Sequence, residues 1–159
     1  MNGRDGAAFV DTNVLAYAFE IGESPRKAVA RELLAKLTAE ETLRISTQVL
    51  QELFVTLTRK ALQPSSVDEA IARLDELSMW PLFSIDYSAV RQAALLSRDA
   101  VLSFWDALIV VAAARSGART LYSEDLSHGQ EILGVRVVNP FQEAPAGSTV
   151  TGGSAPQRA

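Results

Sequence analysis

Short apolar runs alternate along this chain with longer stretches in which apolar positions recur at helical spacing. The first run, Ala7-Ala8-Phe9-Val10, stops at the turn and capping residues Asp11-Thr12-Asn13 and predicts a buried strand. Ser24-Pro25 supplies an N-cap followed by proline at the first helical position. Ala28, Leu33, Leu34 and Leu37 then form the stripe of a helix ending near Ala39. Leu43-Arg44-Ile45-Ser46 reads as a second strand, and Val49, Leu50, Leu53, Phe54 and Leu57 keep a helical period after it. Past Pro64, Ser66-x-x-Glu69 matches a capping box, and Ile71, Leu74 and Leu77 continue a helix that Pro81 closes.

Leu82-Phe83-Ser84-Ile85 predicts a third strand, and Asp86 caps a helix carrying Val90, Ala93, Ala94 and Leu96. Another helix runs from Phe104 to Arg115 and stops at Gly117. Thr120-Leu121-Tyr122 and Val135-Arg136-Val137-Val138 add two strands, the last ended by Asn139-Pro140. Strands alternating with helices imply an α/β fold with a central, mainly parallel sheet covered on both faces. Phe141 is the last large apolar residue. Gly, Ser, Thr, Ala and Pro dominate from Gln142 onward, so the expected organisation is one domain over residues 1–141 and a flexible tail over 142–159.

Composition narrows the chemistry. The 159 residues suit a single domain with a full apolar core. With no cysteine and one histidine, His128, a metal would have to be held mainly by oxygen, which favours a hard cation such as magnesium or manganese. A net charge of −4 gives no broad phosphate-neutralising surface, although metal ions in an acidic pocket can supply positive charge locally. Met1 to Gly6 shows no basic-then-apolar leader, and the longest apolar stretch, Ala107 to Ala114, falls short of the ~20 residues of a membrane span. A soluble, cytoplasmic protein without a membrane partner is the expectation.

Ligand sites of open α/β sheets lie outside the carboxyl ends of the strands. Four acidic residues fall there: Asp11 after the first strand, Glu52 in the helix after the second, Asp106 at the start of the helix after Ser103, and Asp125 after the Leu121-Tyr122 strand. Each has a structural alternative. Ser103-x-x-Asp106 resembles a capping box, Asp11 suits a turn or N-cap, and Asp125 suits an Asx-turn before Gly129. Glu52 lies in an apolar stretch, where an unpaired carboxylate is costly to bury unless an arginine or a cation meets it. Four carboxylates converging at one sheet edge would repel one another unless a cation neutralised them. A divalent ion there would serve metal-assisted phosphodiester hydrolysis.

The ordered set Phe9-Val10-Asp11-Thr12-Asn13-Val14-Leu15, Gln51-Glu52-Leu53, Phe104-Trp105-Asp106-Ala107-Leu108-Ile109 and Leu121-Tyr122-Ser123-Glu124-Asp125-Leu126 resembles the successive motifs of PIN-domain ribonucleases, most of all VapC-type toxins. The likeness spans about residues 7 to 140. It implies a three-layer α/β/α domain, Mg²⁺ or Mn²⁺ as cofactor, and endoribonuclease activity with Asp11, Glu52, Asp106 and Asp125 as the acidic site. Asp11 and Asp106 would bind metal directly; Asp125 and Glu52 would do so directly or through water. Asn13 and Ser123 resemble the family's carboxylate-orienting polar residues, and Thr12 either joins them or only caps. Asp125 is aligned with the family's aspartate, yet the adjacent Glu124 competes for the place, and at most one of the two should project fully into the site. The resemblance further implies an RNA substrate, a homodimer, and a small antitoxin whose basic side chain, an arginine, would face the acidic pocket.

Other residues invite weaker readings. His128, in a Ser-His-Gly turn, is expected at the surface, Trp105 either stacks on a nucleobase or wedges against the core or a dimer partner, and Arg26-Lys27-Arg31 and Arg59-Lys60 read as solvated helix faces. A phosphoacceptor or phosphatase would want an Asp-x-Asp at the first strand and a late lysine; the chain has neither, with no lysine after Lys60. A stand-alone RNA-processing nuclease and a non-catalytic PIN scaffold remain as alternatives, since function follows the site rather than the fold.

Overall fold

The computed structural model describes residues 6–142, so the tail expected from Gln142 onward falls outside them except for Gln142 itself. Strand β1 (Ala8–Val10) is buried along its whole length. Its neighbours are β2 (Leu43–Ser46) on one side and β4 (Thr120–Tyr122) on the other, both parallel to it. β3 (Leu82–Phe83) extends the sheet beyond β2, and β6 (Val135–Val138) extends it beyond β4, again in parallel. The order is β3-β2-β1-β4-β6-β5, with β5 (Glu131–Ile132) antiparallel at the edge.

Helices α1 (Thr12–Phe19) and α2 (Pro25–Ala39) join β1 to β2, while α3 (Thr47–Val55) and α4 (Val67–Ser78) join β2 to β3. α5 (Tyr87–Asp99) and α6 (Phe104–Arg115) carry the chain back from β3 to β4. The first connections step across the sheet in one direction and the return steps in the other, so right-handed crossovers put the two sets of helices on opposite faces. The result is the expected three-layer α/β/α domain with a mainly parallel sheet. Phe9, Leu15, Leu43, Ile45, Leu53 and Leu121 lie at its centre, each fully buried. α6 is buried over every residue from Ala107 to Ala113, because it lies between the sheet and α5.

The expected caps form. Ser24 accepts from the Lys27 N–H, Ser66 and Glu69 close a complete capping box, and Asp86 accepts from the Ala89 N–H. Four differences from the sequence expectation stand out. α1 occupies residues expected only to turn and cap; its eight residues are too few to be stable alone and hold by burying Val14, Leu15 and Ala18. α3 continues into a π-helical turn over Thr56–Lys60. β3 stops at Phe83 instead of Ile85, since the Ile85 N–H bonds the Thr47 hydroxyl at 3.1 Å rather than a strand. β5 forms by a hairpin through Leu133 and Gly134, both at positive φ (51° and 76°), as a two-residue hairpin loop demands.

Candidate active site

The central strands β1, β2 and β4 end side by side at one edge of the sheet, where β1 also meets neighbours reached by opposite connections. This is the topological switch point at which open α/β sheets hold ligands. Each strand delivers polar residues to it. Asp11 follows β1 and N-caps α1, Ser123 follows β4, and Ser46 at the end of β2 caps the helix that carries Gln48 and Glu52.

Asp11 is 4% exposed, and both of its oxygens accept hydrogen bonds. The Thr12 N–H donates to Oδ1 and the Ser123 hydroxyl donates to Oδ2, each at 2.7 Å. The Asn13 amide lies between the acids, donating to Asp125 at 3.0 Å and more weakly to Asp11 at 3.5 Å. Thr12 points its hydroxyl the other way, to Glu52 Oε2 at 2.8 Å, so it serves the site as well as the helix. Burial pushes the Asp11 carboxyl up to about 7; the Ser123 and Thr12 bonds oppose the rise, and the nearby negative charges of Asp125 and Glu52 add to it.

Asp106 occupies the first turn of α6. The Ser103 hydroxyl accepts from its N–H at 3.1 Å, but no reciprocal bond returns from its carboxylate to the Ser103 backbone, so only half of the expected capping box is made. That leaves the carboxylate to the cleft, which has a volume of about 910 Å³ and is lined by Thr12, Asn13, Glu52, Asp106, Glu124 and Asp125 among others. Asp11 lies beneath this surface. A smaller cavity of about 610 Å³ between α1, α2 and α4 contains none of the four carboxylates.

Both adjacent acids line the cleft, but they take different partners. Asp125 joins the Asn13 and Asp11 cluster, whereas Glu124 turns to Tyr17, whose hydroxyl donates at 3.0 Å, and forms an ion pair with Arg26. Arg26 in turn stacks over the Tyr17 and Phe141 rings, 5.3 Å from each. Arg26 remains exposed, as the expected solvated face requires, while pairing with Glu124, whereas Lys27 departs from that expectation: it is buried with its ammonium on the Gly22 carbonyl at 2.6 Å. Trp105 is 62% exposed at the cleft, edge-on to Phe104, and so is not wedged into the core of this chain. His128 is a turn residue as expected, its Nδ1 accepting from the Asn139 N–H at 3.0 Å.

Sequence reasoning missed Gln48, Tyr17 and Arg26. Gln48 lies one helical turn before Glu52 and donates to its Oε1 at 2.9 Å. That i, i+4 spacing was the one available signal; the partners of Tyr17 and Arg26 are about a hundred residues away in sequence and left none.

The donor set consists of carboxylate, hydroxyl and amide oxygens, the ligands of a hard divalent cation. Among the described residues no three acidic or histidine side chains stand close enough to enclose an ion by themselves. The surplus negative charge around a buried Asp11 is what such a cation would relieve.

The chain belongs to the PIN domain family, whose model matches residues 8–129. Solved structures share its fold. Mycobacterium tuberculosis VapC20, a sarcin-ricin loop cleaving toxin, superposes with a TM-score of 0.58 and 21% identity, covering 74% of this chain and 88% of that one. A toxin-antitoxin complex from Klebsiella pneumoniae gives 0.64 and 20%, covering 86% of this chain and 100% of that chain. DNA-bound VapBC from Salmonella typhimurium gives 0.58 and 20%, covering 83% and 96%. No curated protein matches the sequence. No helix among the described residues is long and apolar enough to cross a membrane.

Proposed function

We propose that this chain is a divalent-metal-dependent endoribonuclease and the toxin of a type II toxin-antitoxin pair, acting in the cytoplasm. The observation that carries the proposal is the buried Asp11, tied through Ser123, Asn13 and Thr12 to Asp125 and Glu52 at the carboxyl edge of the sheet. The family membership and the toxin neighbours support it.

Asp11 and Asp106 would hold Mg²⁺ or Mn²⁺ directly, with Asp125 and Glu52 holding it directly or through water. When bound, the ion would make a water ligand acidic and polarise a phosphoryl oxygen of the RNA backbone. The protein's own contribution is orientation. Ser123 and the Thr12 N–H fix both oxygens of Asp11, Asn13 holds Asp125, and Thr12 with Gln48 fixes Glu52. Exposed at the cleft, Trp105 offers a face on which a single-stranded nucleobase can stack. The acidic cleft also suits a basic antitoxin side chain, and a homodimer is the expected assembly.

The test is cleavage of a mixed RNA panel with Mg²⁺ or Mn²⁺, comparing wild type, wild type with EDTA, and Asp11→Asn. Loss of cleavage with both chelator and substitution is the expected result. Cleavage that survives Asp11→Asn would refute the site, and no cleavage of any RNA would favour a binding scaffold.

A further inference from the structure

Gln48 is 3% exposed on α3, and its amide has only acceptors within reach of its nitrogen. Nε2 donates to Glu52 Oε1 at 2.9 Å and to the backbone carbonyl of Trp105 at 3.2 Å. Since both partners are acceptors, the amide cannot be turned round without setting oxygen against oxygen. The orientation leaves Oε1 buried, and no described residue donates to it. A buried acceptor without a donor destabilises a fold; a methionine of similar length would remove that acceptor together with the two bonds that Nε2 donates, so its two effects on stability oppose each other.

The two bonds join parts of the site that the chain brings from far apart. Glu52 is four residues on along α3, while Trp105 immediately precedes Asp106 in the first turn of α6, on the opposite face of the sheet. We infer that Gln48 is a positioning residue that ties Glu52 to the start of α6 and so sets the separation of the Glu52 and Asp106 carboxylates across the cleft. The inference rests on the metal-dependent reading above. Thr12 holds the other oxygen of Glu52, so the carboxylate is pinned from both ends, once to β1's end and once to α6.

A residue with this role acts through Glu52 and contributes little to stability, which separates it from a packing residue. The experiment titrates Mn²⁺ into the full-length chain, following free aquo-Mn²⁺ by electron paramagnetic resonance, with urea unfolding in chelator alongside. Gln48→Met, with Gln48→Leu as a second apolar replacement, is expected to bind Mn²⁺ about tenfold or more weakly while unfolding close to the wild-type urea midpoint. In the Glu52→Gln background, Gln48→Met should weaken Mn²⁺ binding no further. Wild-type Mn²⁺ affinity in both Gln48 variants, affinity loss only in step with a large fall in the urea midpoint, or additive losses with Glu52→Gln would each overturn the assignment. Failure of the wild type itself to bind Mn²⁺ would instead overturn the metal-dependent reading, and this role with it.

Discussion

Replacing Asp11 with asparagine should stabilise the metal-free protein above neutral pH while abolishing its cleavage of RNA. The Asp11 carboxyl is pushed from 3.8 up to about 7, so the folded chain holds this proton more tightly than the unfolded chain. The stabilisation is complete below pH 3.8 and disappears as pH rises through 7, because stability falls with pH wherever the folded state binds more protons. At 1.36 kcal/mol per pK unit, the loss between those limits is about 4 kcal/mol. Asparagine does not titrate, but its amide nitrogen would meet the Asn13 amide or the Ser123 hydroxyl where a carboxylate oxygen now accepts. One mismatched hydrogen bond costs about 1 kcal/mol, leaving a net gain of about 3 kcal/mol at pH 8 and a loss of about 1 kcal/mol near pH 4. Urea unfolding in chelator, followed by fluorescence of Trp80 against the core, measures the difference at each pH. A stability difference between variant and wild type that is the same at both pH values would refute the reasoning. Mn²⁺ should reverse the order at pH 8 once it is present at about 1,000 times its Kd, since an ion that binds the folded state at that excess adds about 4.1 kcal/mol, more than the variant's gain of about 3 kcal/mol.

The remaining expectations concern the groups around that carboxyl. Ser123→Ala removes a 2.7 Å bond that holds the Asp11 pKa down, so the acid limb of the pH–rate profile should move to higher pH, with activity at pH 7 falling about tenfold and recovering under alkaline conditions. An unmoved limb would show that Asp11 does not control it. Asp125→Asn should lower cleavage by about tenfold or more, whereas Glu124→Gln, altering a carboxylate already paired with Arg26, should leave most of it; a single-turnover assay of both variants decides between the neighbours.

Much of the architecture was legible because local signals agreed. Ser24-Pro25, the Ser66/Glu69 box and Asp86 are capping chemistry that works within four residues, and each helix begins where they place it. α1 and β5 were not legible, since an eight-residue helix and a two-residue strand stand only on the surfaces they meet. The acidic residues could be listed from their positions after strands, but not their bonding. Asp11 does cap α1, as its structural alternative held, and it is also the buried centre of the site. For Asp106 the capping alternative was half right, with the backbone bond made and the carboxylate left to the cleft.

The sequence by itself determined that oxygen ligands would define any metal chemistry and that the fold would be α/β. Those properties follow from composition and from periodicity, which are local. Only the tertiary structure decided that Asp125 rather than Glu124 joins Asp11, that Arg26 neutralises Glu124, and that Gln48 connects α3 to α6. Each depends on side chains separated by 57 to 112 residues meeting within hydrogen-bond distance, which is set by the packing of helices against the sheet and by no signal along the chain.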